Sequence, residues 1–394
     1  MKRKIVFFCS LPSFNTGMPI STYKLAAELV KTGRYDVYAV LPGGGELTER
    51  LRLAGVNVKI IPFSRLRANP LSMIKFLLMW FTAGFSFHRF IRKNKIDIVH
   101  FSDIIDAPFY PWARISRARV VAHARVCAGR QFTRFIFKHW AFLFTSHIVT
   151  ISHFVKSYYD FHKRAGVVYN PGPNRELFNI DKYPQVICNG ADPPPVVLFA
   201  AMFRRDKGHH NFLKIASLIK ERVDNNVRFV IIGGKVQGHE DYYDDMMKEA
   251  KRLNIDNSLT VTGNIPHEEV PSIMANAAVF MLVPDWEEAL GGVILEAMSL
   301  GVPVVAFDKG GIRECFTDSV SGFLVPHGDF AAAAAAAARL LASSDMRNLV
   351  AIEARRELDS KFTIDLHINN IEKIYNSLYK QSETVPQTNE KDAL

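Results

Sequence analysis

The chain has 394 residues, 48% apolar and 22% charged: too long for one hydrophobic core, and too ordinary in composition for extended disorder. Its net charge of +10 is divided unevenly, with 27 Lys and Arg against 9 Asp and Glu in residues 1–180 (net +18) and 22 against 30 in the rest (net −8). Cys9, Cys127, Cys188 and Cys315 show no CxxC or Cys/His spacing, which excludes a zinc-ribbon or disulfide framework and suits a reducing cytosol.

The N-terminus "MKRKIVFFCSLP" has a basic start, but its apolar run ends at Cys9, short of a signal-peptide core, so it reads as a first buried strand. After "IVFF" comes the helical "STYKLAAELVKTG". The β-branched or aromatic runs "DVYAVL", "VNVKII", "IDIVHF", "RVVAHA" and "HIVTIS" then follow at intervals that leave room for helices. Such alternation predicts parallel βαβ units with helices on both sheet faces. "PGGG" at 42–45 follows the second of these strands and lacks the G-x-G-x-x-G spacing, which argues against a dinucleotide oxidoreductase.

Two segments of this basic half stand out. "LSMIKFLLMWFTAGFSFHRFIRKNK" is apolar and then basic, too short and too interrupted to span a bilayer. "RQFTRFIFKHWAFLF" sets Arg130, Arg134 and Lys138 at four-residue steps among aromatics. Either segment could be a core helix with snorkelling basic residues. The charge excess favours helices lying at an anionic membrane surface, where each cation contributes about 1 kcal/mol. No recognition motif for nucleic acid accompanies the charge.

The alternation pauses between Asn170 and Pro195, where "NPGPN" and "ADPPP" suit an interdomain linker. It resumes with "VVLFAAM", "RFVIIGG", "LTVTG", "AVFMLV", "VPVVAF" and "GFLVP". The expectation is two doubly wound α/β domains with a ligand cleft between them: residues 1–175, a linker at 176–195, and a second domain at 196–360. A C-terminal helix at 361–381, expected to pack back on the first domain, and a disordered tail at 382–394 complete the chain. The Ala run at 331–338, with Asp329 as its cap, reads as a plain surface helix.

Candidate chemistry lies in the second half. "EEALGGVILEAMSLGVPVVAFDKGG" places Glu288 in the loop after strand "AVFMLV", a glycine pair at a helix start, and Glu296 about one turn into that helix. Glycines there let a ligand approach the backbone, and exposed N–H groups favour phosphate oxygens. A carboxylate accepts hydrogen bonds from paired sugar hydroxyls, so the two would grip a nucleotide sugar. A capping carboxylate beside a surface Glu fits the spacing equally well. In "AAMFRRDKGHHNFLK", Lys207 at a strand-to-helix turn, with Arg204 or Arg205, is suited to neutralise a diphosphate. Asp244 and Asp245 read as a solvated helix face, and His209, His210 and His239 lack ligand spacing, so no metal site is expected.

These motifs resemble the family 4 retaining glycosyltransferases of the GT-B fold, also called glycosyl transferases group 1. "EALGGVILE" matches the family's E-x7-E signature from Glu288 to Glu296, and "EAMSLGVPVVAFDKGGIRE", "VTGNIPHEEVPSIMANAAVFMLVPD", "FLVPHGD", "VTISHFVKSYY" and "VVYNPGPNRELF" extend the match. The resemblance implies two Rossmann-like domains facing a central cleft, the first binding acceptor and the second the nucleotide sugar. Glu296 would hold the donor ribose and Glu288 the donor sugar, while Lys207 with Arg204 or Arg205 would steady the departing diphosphate. The N–H groups around Gly291, Gly292 and Val293 would bind diphosphate or sugar. His123 in "VVAHARV" falls where the family often has a histidine beside the donor sugar, and Gly17 falls in the family's N-terminal glycine loop. Met202 stands where the family commonly has an arginine, with Arg204 two residues on.

The expected activity is metal-independent, cofactor-free transfer of a sugar from a nucleotide-diphosphate donor to a hydroxyl acceptor, a glycan or lipid-linked intermediate of a surface polysaccharide. It would be carried out in the cytoplasm by a protein peripheral on the membrane. The alternatives are a nucleotide-sugar 2-epimerase of the same fold and a non-catalytic membrane-bound nucleotide-sugar-binding protein.

Overall fold

The computed structural model describes residues 2–14, 17–64, 70–129, 131–161, 164–183, 194–223, 226–235 and 240–383. Arg130, Cys188, His239, residues 184–193 of the expected linker and the tail from 384 onward lie outside them. The chain forms two compact units, residues 1–170 with 364–394, and residues 171–363. The division falls at Asn170 rather than at 175 because Pro171–Tyr183 is tied to the second unit. There Phe178 is buried and its carbonyl accepts from Ser299 Oγ at 2.7 Å, while Gly172 N–H donates to the Phe362 carbonyl at 2.7 Å.

In the first unit seven strands, β1 (Arg3–Phe8), β2 (Tyr35–Leu41), β3 (Asn57–Ile60), β4 (Ile98–Phe101), β5 (Arg119–Ala124), β6 (His147–Thr150) and β7 (Ala165–Val167), form one sheet in the order β3-β2-β1-β4-β5-β6-β7. Every pairing is parallel, beginning with Ile5 opposite Val37 on one side and Ile98 on the other. Parallel strands joined by crossovers are covered on both faces, which is why β4 is buried along its length. Helices α1 (Gly17–Lys31), α2 (Glu46–Leu53), α3 (Pro70–Asn94), α4 (Tyr110–Ile115), α5 (Gln131–Phe144) and α6 (His153–Tyr158) make the crossovers. On one face Leu25, Leu29 and Leu47 of α1 and α2 meet Phe7, Val37 and Ile98. On the other, Phe87 of α3 and Phe109 before α4 close on Phe8 at ring-centroid distances of 4.9 and 4.8 Å.

The described residues of the second unit form six parallel strands, β8 (Val196–Ala200), β9 (Arg228–Ile232), β10 (Leu259–Val261), β11 (Val279–Leu282), β12 (Val304–Phe307) and β13 (Phe323–Val325), in the order β10-β9-β8-β11-β12-β13. Its helices are α7 (His209–Arg222), α8 (Glu240–Arg252), α9 (Val270–Met274), α10 (Gly292–Ser299), α11 (Phe330–Ala342) and α12 (Ser344–Lys361). The last helix, α13 (Ile364–Glu383), belongs to the first unit, where Ile368, Ile371, Tyr375 and Leu378 enter the core beside β1 and β2. The Ala run corrects the expectation of a surface helix. Ala333, Ala334, Ala336 and Ala337 are buried in the second core, because small side chains let α11 lie close against α7. Asp329 does cap it, accepting from Ala332 N–H at 2.9 Å.

Candidate active site

In each sheet the connections run outward in opposite directions from two neighbouring strands, β1 and β4 in the first unit and β8 and β11 in the second. Ligands of such sheets collect beyond the carboxyl ends at this switch point. The loops that leave β8 and β11 carry Arg204, Arg205 and Lys207 on one side and Glu288, Gly291 and Gly292 on the other.

What brings these loops together is glycine and backbone bonding. Gly208 has φ +81°, and a Cβ there would lie 1.9 Å from the Val283 carbonyl oxygen, so only glycine lets the turn after Lys207 press against the end of β11. Asp285 N–H donates to the Asp206 carbonyl at 3.1 Å, and Asn211 Nδ2 donates to the Val283 carbonyl at 3.0 Å and to Asp285 Oδ1 at 2.8 Å. Across this junction Lys207 Nζ donates to Glu288 Oε1 at 2.6 Å, both side chains about three-quarters covered. Glu288 thus neutralises the lysine.

Gly291 adopts the left-handed conformation, φ 90° and ψ 57°, as the cap of α10, and Gly292 is exposed with open space where a Cβ would project. The first-turn N–H groups of α10, including those of Gly292 and Val293, point along the helix axis at a positive dipole end. Glu296 lies in the second turn, half-buried.

The two arginines are held differently. Arg204 forms a bidentate pair with Asp206, at 3.0 and 2.6 Å. Arg205 is turned to α8, with Asp245 Oδ2 at 3.2 Å and its guanidinium 5.2 Å from the Tyr242 ring centre. Lys207 and Glu288 are therefore brought into contact, while Arg205 is directed elsewhere. Met202, 44% exposed, offers no charge at the arginine position of the resemblance.

A second glycine pair, Gly310 and Gly311, holds the Glu288 loop in place. The backbone around Gly310 and Gly311 runs against the Glu288 loop so closely that Cβ atoms would lie 2.2 Å from the Glu288 carbonyl oxygen and 2.3 Å from that of Ala289. Gly311 N–H donates to the Glu288 carbonyl at 2.7 Å, and Cys315 Sγ donates to the Leu290 carbonyl at 2.6 Å. The "GG" doublet in the sequence was the available signal, but the contact it permits is long-range.

In the first unit Gly17 opens α1 and is exposed. His123, on β5, is fully buried, and its Nδ1 faces Arg125 Nη2 at 3.0 Å and His100 Nε2 at 3.2 Å. A guanidinium only donates, so Nδ1 is the acceptor and Nε2 carries the proton. That Nε2 has no hydrogen-bond partner among the described residues. Burial, then the charge of Arg125, pushes the His123 pKa well below its ordinary 6.5, which keeps the ring neutral. Tyr375 of α13 lies 2.6 Å from His100 Nδ1, and Arg125 is fixed by the Ser102 carbonyl at 3.0 Å and by Asn170 Oδ1. His100, Arg125 and Tyr375 were missed, since only the fold brings them to His123.

Comparison with known proteins matches two family models, Glycosyltransferase Family 4 over residues 15–171 and Glycosyl transferases group 1 over residues 188–357. The chain belongs to the group 1, family 4 glycosyltransferases. Curated members with similar sequences include the 2-deoxystreptamine N-acetyl-D-glucosaminyltransferase of Niallia circulans, 27% identical over 46% of this chain and 45% of the relative. The alpha-D-kanosaminyltransferase of Streptomyces kanamyceticus is 28% identical over 48% and 47%. The chain thus aligns with about half the length of these relatives. Among solved structures, Alr3699/HepE of Anabaena in complex with UDP and glucose superposes with a TM-score of 0.78 at 19% identity, covering 95% of this chain and all of that one. A glycosyltransferase from Rickettsia africae gives 0.77 at 18%, covering 96% and 99%. These likenesses show the fold of the family 4 chain to be α/β, of the GT-B class.

Proposed function

We propose that this family 4 chain is a retaining, metal-independent glycosyltransferase that moves a sugar from a nucleotide-diphosphate donor to a hydroxyl acceptor, a lipid-linked or surface-polysaccharide intermediate, at the inner face of an anionic membrane. The observation that carries the reading is the Lys207–Glu288 pair at 2.6 Å, set beside the glycine-opened start of α10 at a sheet switch point. Support also comes from the transferase names of the relatives and from UDP and glucose in the Anabaena protein.

In this mechanism the diphosphate docks at the α10 N-terminus and Glu296 accepts hydrogen bonds from the ribose hydroxyls. As the glycosidic bond breaks, negative charge grows on the leaving diphosphate. Lys207 turns from Glu288 to meet it, with Arg204 as second cation, so stabilisation is greatest in the transition state. Glu288, released from the lysine, takes the sugar hydroxyls. A donor phosphate oxygen receives the acceptor proton on the face that the leaving group vacates, so configuration is retained.

The test is release of nucleoside diphosphate from UDP- and GDP-sugars by the purified full chain with lipid-extract acceptor, followed by product stereochemistry. Acceptor-dependent release with retained configuration is expected. Donor isomerised without acceptor would point to an epimerase, and binding without turnover to a non-catalytic protein.

A further inference from the structure

Helix α5 is amphipathic in the inverted sense. Its apolar stripe, Phe132, Phe135, Ile136, Phe142 and Leu143, recurs at helical spacing on the exposed side, with Phe132 75%, Phe135 59% and Leu143 65% exposed, and Ala141 is its one buried residue. The cations point the other way. Arg134 lies over the Tyr158 ring at 4.7 Å and Lys138 pairs with Asp160, so these two cations anchor the helix inward. A water-facing helix normally turns its apolar stripe to the core.

The neighbouring α3 repeats the feature. It buries Phe76, Ala83, Phe87 and Ile91 against the sheet, yet presents Leu78, Phe81 and Phe85 outward, with Phe81 57% exposed. The two helices are linked through α4, which packs on both and exposes Ile115 at its end. Single exposed apolar residues are ordinary, but contiguous ones across neighbouring helices mark an interaction surface.

Charge identifies the occupant. Helices α3, α4 and α5 contain no Asp or Glu at all, and Arg89, Arg92 and Lys93 on α3 and Arg114 on α4 are exposed with no acidic partner among the described residues. An apolar face rimmed only by cations would repel a second copy of itself and complements an anionic bilayer, into whose headgroup region the aromatics would sink. No described helix is long and apolar enough to cross a membrane, which suits a surface that lies on one. We infer that the outward face of α3, α4 and α5 docks flat on an anionic bilayer, with the Phe and Leu side chains inserted and the basic rim on the lipid phosphates. The inference deepens the membrane reading given above and rests on it, and it is independent of the transfer chemistry.

Co-sedimentation of the full chain with vesicles of phosphatidylcholine, with and without phosphatidylglycerol, tests this at low and high salt. Binding is expected only with phosphatidylglycerol and should weaken as salt rises. The pair Phe132→Ser and Phe135→Ser should lower partitioning by about tenfold or more, with thermal unfolding and donor turnover in solution unchanged. Arg92→Ser with Lys93→Ser should reduce the preference for phosphatidylglycerol. If the α5 pair does not fold, Leu78→Ser with Phe85→Ser on α3 serves in its place. Absence of vesicle binding by the wild type, full binding by the folded variants, or a concentration-dependent dimer that the Phe pair abolishes would overturn the inference. Lys207→Ala should bind vesicles as the wild type does, so loss of turnover and loss of docking are told apart.

Discussion

Lys207 is paired with Glu288 and, in the proposed reaction, turns to the leaving diphosphate in the transition state. Replacing it with Ala should lower kcat/KM by roughly 100-fold, about 3 kcal/mol of lost transition-state stabilisation, measured by nucleoside diphosphate release. Glu296→Ala should chiefly raise the KM for donor, by tens-fold in order of magnitude, since it would grip a part of the donor that does not react. His123 makes a different forecast. Its pKa lies well below 6.5, so the kcat/KM profile should show no limb near pH 6.5 from this group. His123→Gln, whose amide N–H reaches roughly where Nε2–H lies, should retain more activity than His123→Ala. At this scale the nearness of Lys207 and Glu288 was legible, because each is a charged residue in a loop leaving a strand end in an otherwise apolar context. Arg125 and His100 were not, since a histidine's proton position depends on neighbours from other strands.

Elements were legible where their apolar pattern is long. All six strands of the second sheet follow runs visible in the sequence, whereas β7 is three half-exposed residues at the edge of its sheet and leaves no such run. The direction an element faces was harder to read. Periodicity reveals the stripe on α5 but not that it points to solvent, and alanine's short side chain gives no sign of which face of α11 is covered. Two forecasts belong here. Asp329→Ala removes the cap of α11 and should cost about 1 kcal/mol, read as a small fall in Tm. Gly208→Ala forces both a disfavoured φ of +81° and a clash with the Val283 carbonyl. It should cost several times as much and part the Lys207 turn from β11, lowering activity even where the protein still folds.

For the whole molecule, acid sensitivity is concentrated in one unit. His100, His123 and His367 are all buried in the first, and burial holds each below 6.5, His367 down to about 3. An unfolded chain protonates these rings as pH falls through 6.5 while the native unit does not, so stability rises with pH across that window and is lost below it. For His367 this should cost about 2 kcal/mol between pH 7 and pH 5. In the second unit His209, lowered to about 4, is the one buried histidine among the described residues. Unfolding followed separately in the two units should therefore begin in the first on acidification. The pair of doubly wound sheets was legible because alternating strands and helices imply it, while the division at Asn170 was not, being set by where Phe178 is buried.

The placement of α13 also has a consequence for synthesis. Ile371 and Tyr375 are fully buried members of the first unit's core, yet they leave the ribosome after all of residues 171–363. Domains fold as they emerge, in the order of translation. Here the portion made first must wait, its core open on one side, while the portion made second closes upon itself. Ending translation at Thr363 should yield a nascent chain whose later half resists protease and whose earlier half is cut.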